Sequence, residues 1–227
     1  MKKIEVLQSV SLFFDLSEKQ LGYIAKQMVQ KTYSSGEYFF LEDSKGEQCF
    51  FVIQGSVKVT RLSKDGREVI LAILNEGEFF GEMSLLDGDS RSANVIALEN
   101  TKVFTLNRRD FLNVIEEYPA IAIELIRILG HRLRKSDRQI TSLSLSDAEK
   151  RIALCILRIA DEQGMIKRGL VSIIKMPIQQ DIANMSGTSR ETVSRTLKLF
   201  EIEGFIKREG RKLIIMDYKK FGMEFDF

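Results

Sequence analysis

Two arginines, a carboxylate and a hydroxyl group share one face of a predicted helix near the C-terminus. Arg190, Glu191, Ser194, Arg195 and Lys198 occupy positions i, i+1, i+4, i+5 and i+8, which lie on a common side of an α-helix. A guanidinium binds guanine through two hydrogen bonds, and carboxylates and hydroxyls bind other base edges in the major groove. The spacing therefore predicts a helix that reads DNA sequence.

The residues around this helix predict a helix-turn-helix followed by a wing. A shorter helix precedes a tight turn at Gly187, and residues 205–215 form a predicted hairpin with charged residues at its tip. Such a hairpin beside a reading helix is typical of a winged helix-turn-helix. The apolar positions that recur at helical spacing, and so face a core, are Val193, Leu197 and Phe200.

A purely structural interpretation of the same charges stays open at this stage. Thr188 and Glu191 have the spacing of a capping box, in which the carboxylate binds a backbone N–H at the helix start. Arg195 has the spacing for an intrahelical ion pair with Glu191. In that case the polar face is a solvated surface that does not bind DNA.

Composition excludes several classes of protein. The 227 residues carry a net charge of only +2, with 44% hydrophobic residues, so a packed globular chain of one or two domains is expected. Two cysteines, Cys49 and Cys155, are too few for a disulfide framework or a clustered metal site. A single histidine and scattered carboxylates offer no nucleophile–base pair, so no enzyme activity is expected. No signal peptide or apolar run of membrane length is visible, so we expect a cytoplasmic protein without a membrane partner.

Periodicity divides the chain into three parts and predicts an α+β fold. From residue 31 to residue 107, short runs of Val, Ile and Phe alternate with glycines at intervals of about ten residues, which is typical of a small antiparallel barrel or sandwich. Helical patterns follow it. The predicted domains are a barrel over residues 1–118, a dimerisation helix and hinge over 119–145, and a DNA-binding domain over 146–227.

The long helix of the middle part carries a coiled-coil seam. Its apolar positions step by three and four residues over about three heptads, which predicts parallel pairing into a homodimer. A two-fold dimer is also what a reader of a near-palindromic operator needs. The alternative is a helix that packs on its own barrel. The seam positions are Ile126, Leu129, Leu133, Ser136, Ile140 and Leu143.

A glycine-framed loop in the barrel, residues 77–95, is suited to hold a phosphate. Its backbone N–H groups, the Ser92 hydroxyl and the Arg91 guanidinium are donors for one anion. Glu82 is placed to accept a hydrogen bond from a ribose hydroxyl. Taken singly, an arginine such as Arg91 is more often a surface residue, and Glu82 is more often a carboxylate at a helix start.

The loop Gly81-Glu82…Arg91-Ser92-Ala93, the long helix and the segment 189–195 together resemble the cyclic-AMP receptor/fumarate–nitrate regulator (Crp–Fnr) family of bacterial transcription factors. The resemblance runs from about residue 12 to residue 217. It implies a cyclic-nucleotide-binding β-roll, which is a jelly-roll barrel, then a dimerisation helix and a winged helix-turn-helix. It also implies RNA polymerase as a partner and a TGTGA-like half-site in double-stranded DNA.

The resemblance carries over to individual positions of this sequence. In the barrel, Gly81 and Glu82 are implied at the ribose, and Arg91 and Ser92 at the cyclic phosphate. The implied effector-binding set is Gly81, Glu82, Met83, Ser84, Arg91, Ser92, Ser136 and Asp137. The implied DNA-binding set places Arg190, Glu191 and Arg195 at base edges and Gln180, Ser189 and Thr192 at phosphates, with Ser194 and Lys198 on the same surface.

One departure from the family leaves the effector open. Cyclic-AMP-responsive members present a Thr-Ser pair to the purine, where this chain has Ser136-Asp137. An ionised Asp137 only accepts hydrogen bonds, and guanine offers two adjacent donors, so cyclic GMP stands beside cyclic AMP as a candidate. Asp137 is alternatively a solvated residue or a partner of Arg134 or Arg138.

Other signals of the same scaffold also remain as alternatives. An iron–sulfur sensor is not expected, because no cysteine precedes Cys49. A haem-bound gas requires an axial ligand, and His131 is the single histidine. The remaining alternatives are cyclic di-GMP as the effector and a regulator that acts without any effector. No tightly bound cofactor and no metal are expected.

Overall fold

The computed structural model describes residues 3–167 and 170–225 and divides into two compact units at Arg134/Lys135. We call residues 1–134 the N-terminal unit and residues 135–227 the C-terminal unit. The division falls inside the long helix, whereas the predicted boundaries at 118 and 145 flank that helix. Both units contain buried apolar residues, and the chain combines helices with antiparallel sheets, as predicted for an α+β fold.

Two four-stranded antiparallel sheets make up most of the N-terminal unit. One sheet has the strand order β1-β8-β3-β6 and the other β2-β7-β4-β5, so that, apart from the β4–β5 hairpin, neighbouring strands are not consecutive in sequence, as in a jelly roll. This confirms the predicted β-roll. The strands are β1 (Val29–Tyr33), β2 (Tyr38–Phe40), β3 (Gln48–Gln54), β4 (Val57–Leu62), β5 (Glu68–Leu74), β6 (Phe79–Phe80), β7 (Asn94–Ala97) and β8 (Thr101–Asn107).

Aromatic side chains fill the space between the two sheets. Phe50 and Phe80 stack with their ring centroids 5.1 Å apart, and Phe39 meets both rings edge-on. Aromatic pairs in these geometries contribute stabilisation beyond the area that they bury. The interior of the barrel next to the glycine-framed loop is therefore filled with packed aromatic rings.

Short helices close the N-terminal unit around a second apolar cluster. This cluster joins Phe13, Leu21 and Phe51 with Phe111 and Leu125, each at most 4% exposed. Phe51 lies on the face of β3 opposite to Phe50, so this cluster covers the side of its sheet that faces away from the other sheet. The helices are α1 (Lys3–Leu7), α2 (Glu18–Gln27), α3 (Met83–Leu86), α4 (Arg108–Glu117) and the first part of α5 (Pro119–Leu145), with a 3₁₀ turn at Ser11–Phe13.

Most of the predicted seam on α5 is exposed in the single chain. Ile126, Leu133 and Ile140 expose 69%, 63% and 62% of their surface, and Leu143 exposes 44%. Leu129 differs, because it is partly buried against the core of its own unit. The alternative interpretation, a helix packed on its own barrel, therefore fits Leu129 and not the more exposed positions.

The C-terminal unit combines helices α6 to α9 and the end of α5 with a four-stranded sheet. The sheet order is β11-β12-β10-β9, and the helix-turn-helix consists of α7 and α8. The apolar run from Gly169 to Met176 predicts a strand, and the structure has β10 (Leu170–Ile173) within it; Gly169 lies outside the described residues. The elements are α6 (Ala148–Gln163), β9 (Met165–Lys167), β10 (Leu170–Ile173), α7 (Gln179–Ser186), α8 (Arg190–Ile202), β11 (Ile206–Glu209), β12 (Lys212–Ile215) and α9 (Tyr218–Glu224).

Candidate effector site and DNA-reading helix

The guanidinium of Arg91 is buried at the centre of the predicted phosphate site. Its Nη1 donates to the carbonyl oxygen of Gly81 at 2.6 Å and to Oγ of Ser84 at 2.9 Å, and its Nη2 donates to the carbonyl oxygen of Gln48 at 2.6 Å. Its Cζ lies 4.1 Å from the ring centroid of Phe40. Burial lowers the pKa of Arg91, and the nearby Glu82 carboxylate opposes that shift.

Two buried polar atoms at this site have no hydrogen-bond partner among the described residues. They are Nε of Arg91 and Oε2 of Glu82, in side chains that are 4% and 2% exposed as residues. An unpaired buried polar atom costs about 1–3 kcal/mol, so such atoms call for an explanation. One is a donor in a cation and the other an acceptor in an anion, which fits a ligand with both a phosphate and a hydroxyl.

Two glycines make room for the guanidinium. Gly81 has φ +79°, and a Cβ there would lie 2.7 Å from Nη1 of Arg91. A Cβ on Gly46 would lie 2.0 Å from Oγ of Ser84 and 3.1 Å from Cζ of Arg91. Sequence analysis identified Gly81 and missed Gly46, because no local motif connects residue 46 with residue 91.

Arg132 is a second residue of the site that sequence analysis did not identify. Its Nη1 donates to Oε1 of Glu82 at 2.8 Å, and its Nη2 donates to the carbonyl oxygen of Phe79 at 2.5 Å. One carboxylate oxygen of Glu82 thus already accepts a hydrogen bond from Arg132 of α5. Only the other oxygen, Oε2, is left to accept one from a ribose hydroxyl. The pair spans 50 residues, so spacing carried no signal of it.

The remaining predicted effector residues differ in burial. Ser84 is buried against Arg91, whereas Met83 is 49% exposed and Ser92 is exposed, its Oγ 3.9 Å from the Met83 sulfur. Ser136 and Asp137 are exposed on α5 and belong to the C-terminal unit. The structure thus brings Gly81, Glu82, Ser84 and Arg91 together within the N-terminal unit.

The reading helix α8 begins as the helix-turn-helix prediction requires, with one correction. Gly187 caps α7 in the left-handed region, with φ 59°, and Val193, Leu197 and Phe200 are buried. The N-cap is Ser189, whose side chain accepts from the Thr192 backbone N–H. The predicted capping box from Thr188 is therefore wrong, because the helix starts one residue later.

The polar face of α8 is open to solvent. Arg190, Glu191, Ser194, Arg195 and Lys198 are all exposed, and Arg195 makes no ion pair with Glu191 in the part of the chain that the structure describes. Hydrogen bonds at the helix start lower the pKa of Glu191, which keeps it an acceptor. The intrahelical pairing that would have occupied these groups is absent.

The flanking predicted DNA contacts are also at the surface. Gln180 is exposed, and its side chain donates to Oδ1 of Asn184 at 2.9 Å. The wing is the β11–β12 hairpin, with Gly210 at its tip in the left-handed region. Arg208 anchors it through Nη2 to Glu201 of α8 at 2.5 Å, and this bond lowers the pKa of Glu201. The wing is thus fixed to the reading helix.

The described residues contain no group of three or more His, Cys, Asp or Glu side chains arranged to hold a metal ion. They also contain no helix that is long and apolar enough to cross a bilayer. Both cysteines are free and buried, and burial raises the pKa of each thiol.

A β-roll with a buried arginine and a winged helix-turn-helix with an open basic face together define a DNA-binding regulator with a sensor domain. Residues 30–118 match the cyclic nucleotide-binding domain family, and residues 150–221 match the Crp-like helix-turn-helix domain family. The chain belongs to the Crp–Fnr family of transcriptional regulators.

Similar proteins cover almost the whole chain. The chain is 32% identical over 217 residues to the cyclic AMP receptor protein of Thermus thermophilus, covering 93% of this chain and 97% of that one. It is 28% identical over 216 residues to a CRP-like cAMP-activated global transcriptional regulator of Mycobacterium tuberculosis, covering 95% and 96%. A CooA mutant structure from Carboxydothermus hydrogenoformans aligns with a TM-score of 0.80 at 25% identity, covering 98% and 99%.

Proposed function

We propose that this chain is a homodimeric regulator that reads a near-palindromic operator and is controlled by a 3′,5′-cyclic mononucleotide bound at Arg91. The observation that carries the DNA-reading part is the open polar face of α8. Arg190 and Arg195 are exposed there and have no ion-pair partner among the described residues. A guanidinium that is not engaged within the protein is available for guanine, and each such contact contributes about 1–3 kcal/mol of discrimination.

A binding series over operator variants tests the DNA-reading role, because base contacts and phosphate contacts affect it differently. Arg190→Ala is expected to relax specificity, so that cognate and mismatched TGTGA half-sites bind more equally. Lys207→Ala, on the exposed wing, is expected to weaken binding to all sequences alike and to reduce the salt dependence. Gel-shift titrations over single-base operator variants measure both effects. If Arg190→Ala scales every site by one factor, the base-reading role is wrong.

The homodimer is supported by the exposed seam of α5. Three of its apolar side chains are more than three-fifths exposed in the single chain, which water disfavours and a second copy would cover. Two reading helices on a two-fold axis then fit successive major grooves about 34–36 Å apart. RNA polymerase is the further partner that we propose for the DNA-bound dimer.

The cyclic nucleotide is supported by the unpaired Nε of Arg91 and the unpaired Oε2 of Glu82. A cyclic phosphate supplies an acceptor for the first atom, and the ribose 2′-hydroxyl supplies a donor for the second. Ser136 and Asp137 are the residues that we propose at the purine, with Asp137 favouring guanine. The relatives named above as receptors or targets of cyclic AMP favour adenine. Control of the dimer requires that the nucleotide bind one arrangement of the reading heads better than the other.

A second candidate is a regulator that needs no effector. It is favoured by the three hydrogen bonds through which Arg91 already ties together Gly81, Ser84 and Gln48. In that role the guanidinium is a structural staple of the barrel.

Titration calorimetry with cyclic AMP and cyclic GMP distinguishes the two candidates. The proposed site predicts heat with one of the nucleotides and loss of that heat in Arg91→Lys, which keeps the charge and loses the planar fork. Arg61→Lys, at a more exposed arginine of strand β4, is the matched control and is expected to bind normally. An absence of heat with both nucleotides would favour the effector-independent regulator.

A further inference from the structure

One arginine joins the end of the long helix to the turn of the helix-turn-helix. In the C-terminal unit, Nε of Arg151 donates to the carbonyl oxygen of Ser186 at 2.8 Å, and Nη1 donates to that of Ser146 at 2.7 Å. Nη2 lies 3.3 Å from the carbonyl oxygen of Gly187. Ser146 directly follows α5, whereas Ser186 and Gly187 end α7. A single planar group therefore spans two elements that are 40 residues apart in sequence.

The acceptors of Arg151 are carbonyl groups at helix C-termini. Ser186 is the last residue of α7 and Gly187 is its C-cap, while the N–H of Ser146 still bonds to the carbonyl oxygen of Ser142 in the last turn of α5. Carbonyl groups at helix ends lack intrahelical partners and carry partial negative charge, so a cation placed there is favourable. Arg151 meets this condition at two helices at once, for which the planar, forked guanidinium is well suited.

Two further contacts hold the same part of α5 to the C-terminal unit. A Cβ on Gly187 would lie 2.8 Å from Cδ2 of Leu143, so the last turn of α5 packs directly against the turn. Lys135 donates to Glu162 of α6 at 2.5 Å. Accordingly, residues 135–145 group with the DNA-binding part of the chain. The joint between α5 and the reading helix is therefore a packed contact.

We propose that Arg151 is a positioning residue for DNA reading, which sets the spacing between the two reading heads of a dimer. This inference rests on the proposed dimeric DNA-binding function. Gly187 is three residues before Arg190, so a clamp on the Gly187 carbonyl fixes the start of α8 relative to the end of α5. Each subunit is attached to its partner through α5. A firm joint therefore transmits the dimer geometry to both heads, and a loose joint leaves each head free to find its half-site alone.

A spacing series on DNA tests the proposal with the full-length protein. The probes are a duplex with two inverted TGTGA half-sites about 10 bp apart, the same duplex lengthened by one base pair, and a duplex with one half-site. One added base pair moves a half-site by about 3.4 Å and rotates it by about 34°. Fluorescence anisotropy is measured with wild type, Arg151→Gln, Arg151→Lys and the control Arg158→Gln, without nucleotide, with cyclic AMP and with cyclic GMP.

Arg158 is a matched control because it lies two turns further along α6 and is also partly buried. Its Nη2 lies 3.9 Å from Cys155 Sγ, and within the described part of the chain it makes no hydrogen bond to the turn. We expect Arg151→Gln to bind the single half-site as wild type does. Its preference for the correct over the lengthened duplex is expected to fall about tenfold, because the effective concentration of the second head decreases. Arg151→Lys should lie between the two, and Arg158→Gln should match wild type.

Three outcomes would overturn the positioning role. If Arg151→Gln and Arg158→Gln keep the same spacing preference as wild type, the clamp does not set spacing. If Arg151→Gln loses affinity for the single half-site and the double sites by one factor, Arg151 supports folding or binds a phosphate. If wild type binds none of the duplexes, the proposed function itself fails. The first two outcomes leave the proposed function standing.

Discussion

Alanine at Gly46 and alanine at Gly22 are expected to change the stability of the N-terminal unit in opposite directions. Neither glycine has a left-handed φ, so the surroundings of the new methyl group decide the result. At Gly46 that methyl group would lie 2.0 Å from Oγ of Ser84 and 3.1 Å from Cζ of Arg91. At Gly22, inside α2, the nearest atom is Cδ1 of Ile4 at 3.8 Å, which is ordinary contact.

The magnitudes follow from these two environments. Gly46→Ala displaces Ser84 and so removes one hydrogen bond from a charged donor, worth about 1.5–3 kcal/mol. Overpacking adds about 1–3 kcal/mol, so a total loss of about 2.5–6 kcal/mol is expected. Gly22→Ala gains about 0.5–1 kcal/mol, because alanine is the better helix former and restricts the unfolded chain.

Thermal unfolding followed by tyrosine fluorescence measures both changes. The chain has no tryptophan, and four of its five tyrosines lie in the N-terminal unit, so the signal reports mainly on that unit. For a unit of this size, 1 kcal/mol corresponds to about 3–4 °C in Tm. Gly46→Ala should lower Tm by about 8–24 °C, and Gly22→Ala should raise it by about 2–4 °C. If Gly46→Ala unfolds at the wild-type temperature, the close packing over Arg91 is wrong.

Three further predictions concern the ion pair, the seam and the cysteines. Arg132→Gln should lower the free energy of unfolding measured in urea by about 2–4 kcal/mol, because it leaves the Glu82 carboxylate buried without this partner. The loss should be clearly smaller when Glu82→Gln is already present, and equal losses in the two backgrounds would refute the coupling. Leu133→Glu should leave secondary structure unchanged but give a monomer in sedimentation, since Leu133 is 63% exposed in the single chain; a persisting dimer would contradict the seam. Cys49 and Cys155 should react with a thiol reagent only after unfolding, because burial raises the pKa of both; fast reaction in the native protein would show an open core.

The local patterns of the chain were predictable because they depend on neighbours in sequence. The polar face of α8 and the turn at Gly187 follow from helical periodicity and from a backbone position that favours glycine, and the structure has both. The antiparallel barrel was likewise visible in regularly spaced glycines between apolar runs. The exact helix start was not predicted, since Thr188 and Ser189 are adjacent residues that can both cap a helix.

The partners of the buried charges could not be predicted. Arg91 donates to Gln48, 43 residues away, and Arg132 pairs with Glu82, 50 residues away. Neither contact has a period or a fixed spacing, because both arise where separate elements happen to pack together. The same holds for the close approach of Gly46 to Ser84, which only the folded barrel creates.

Sequence alone determined which groups this protein presents: a guanidinium-bearing helix face, a glycine-framed loop with one arginine, and an apolar seam. Tertiary structure decided how those groups are engaged. It buried Arg91 among carbonyl oxygens, left the α8 arginines exposed, and placed Arg151 between two helix ends. The reason is physical: helix and strand patterns follow from repeating backbone geometry, whereas the partner of a side chain depends on the packing of distant segments.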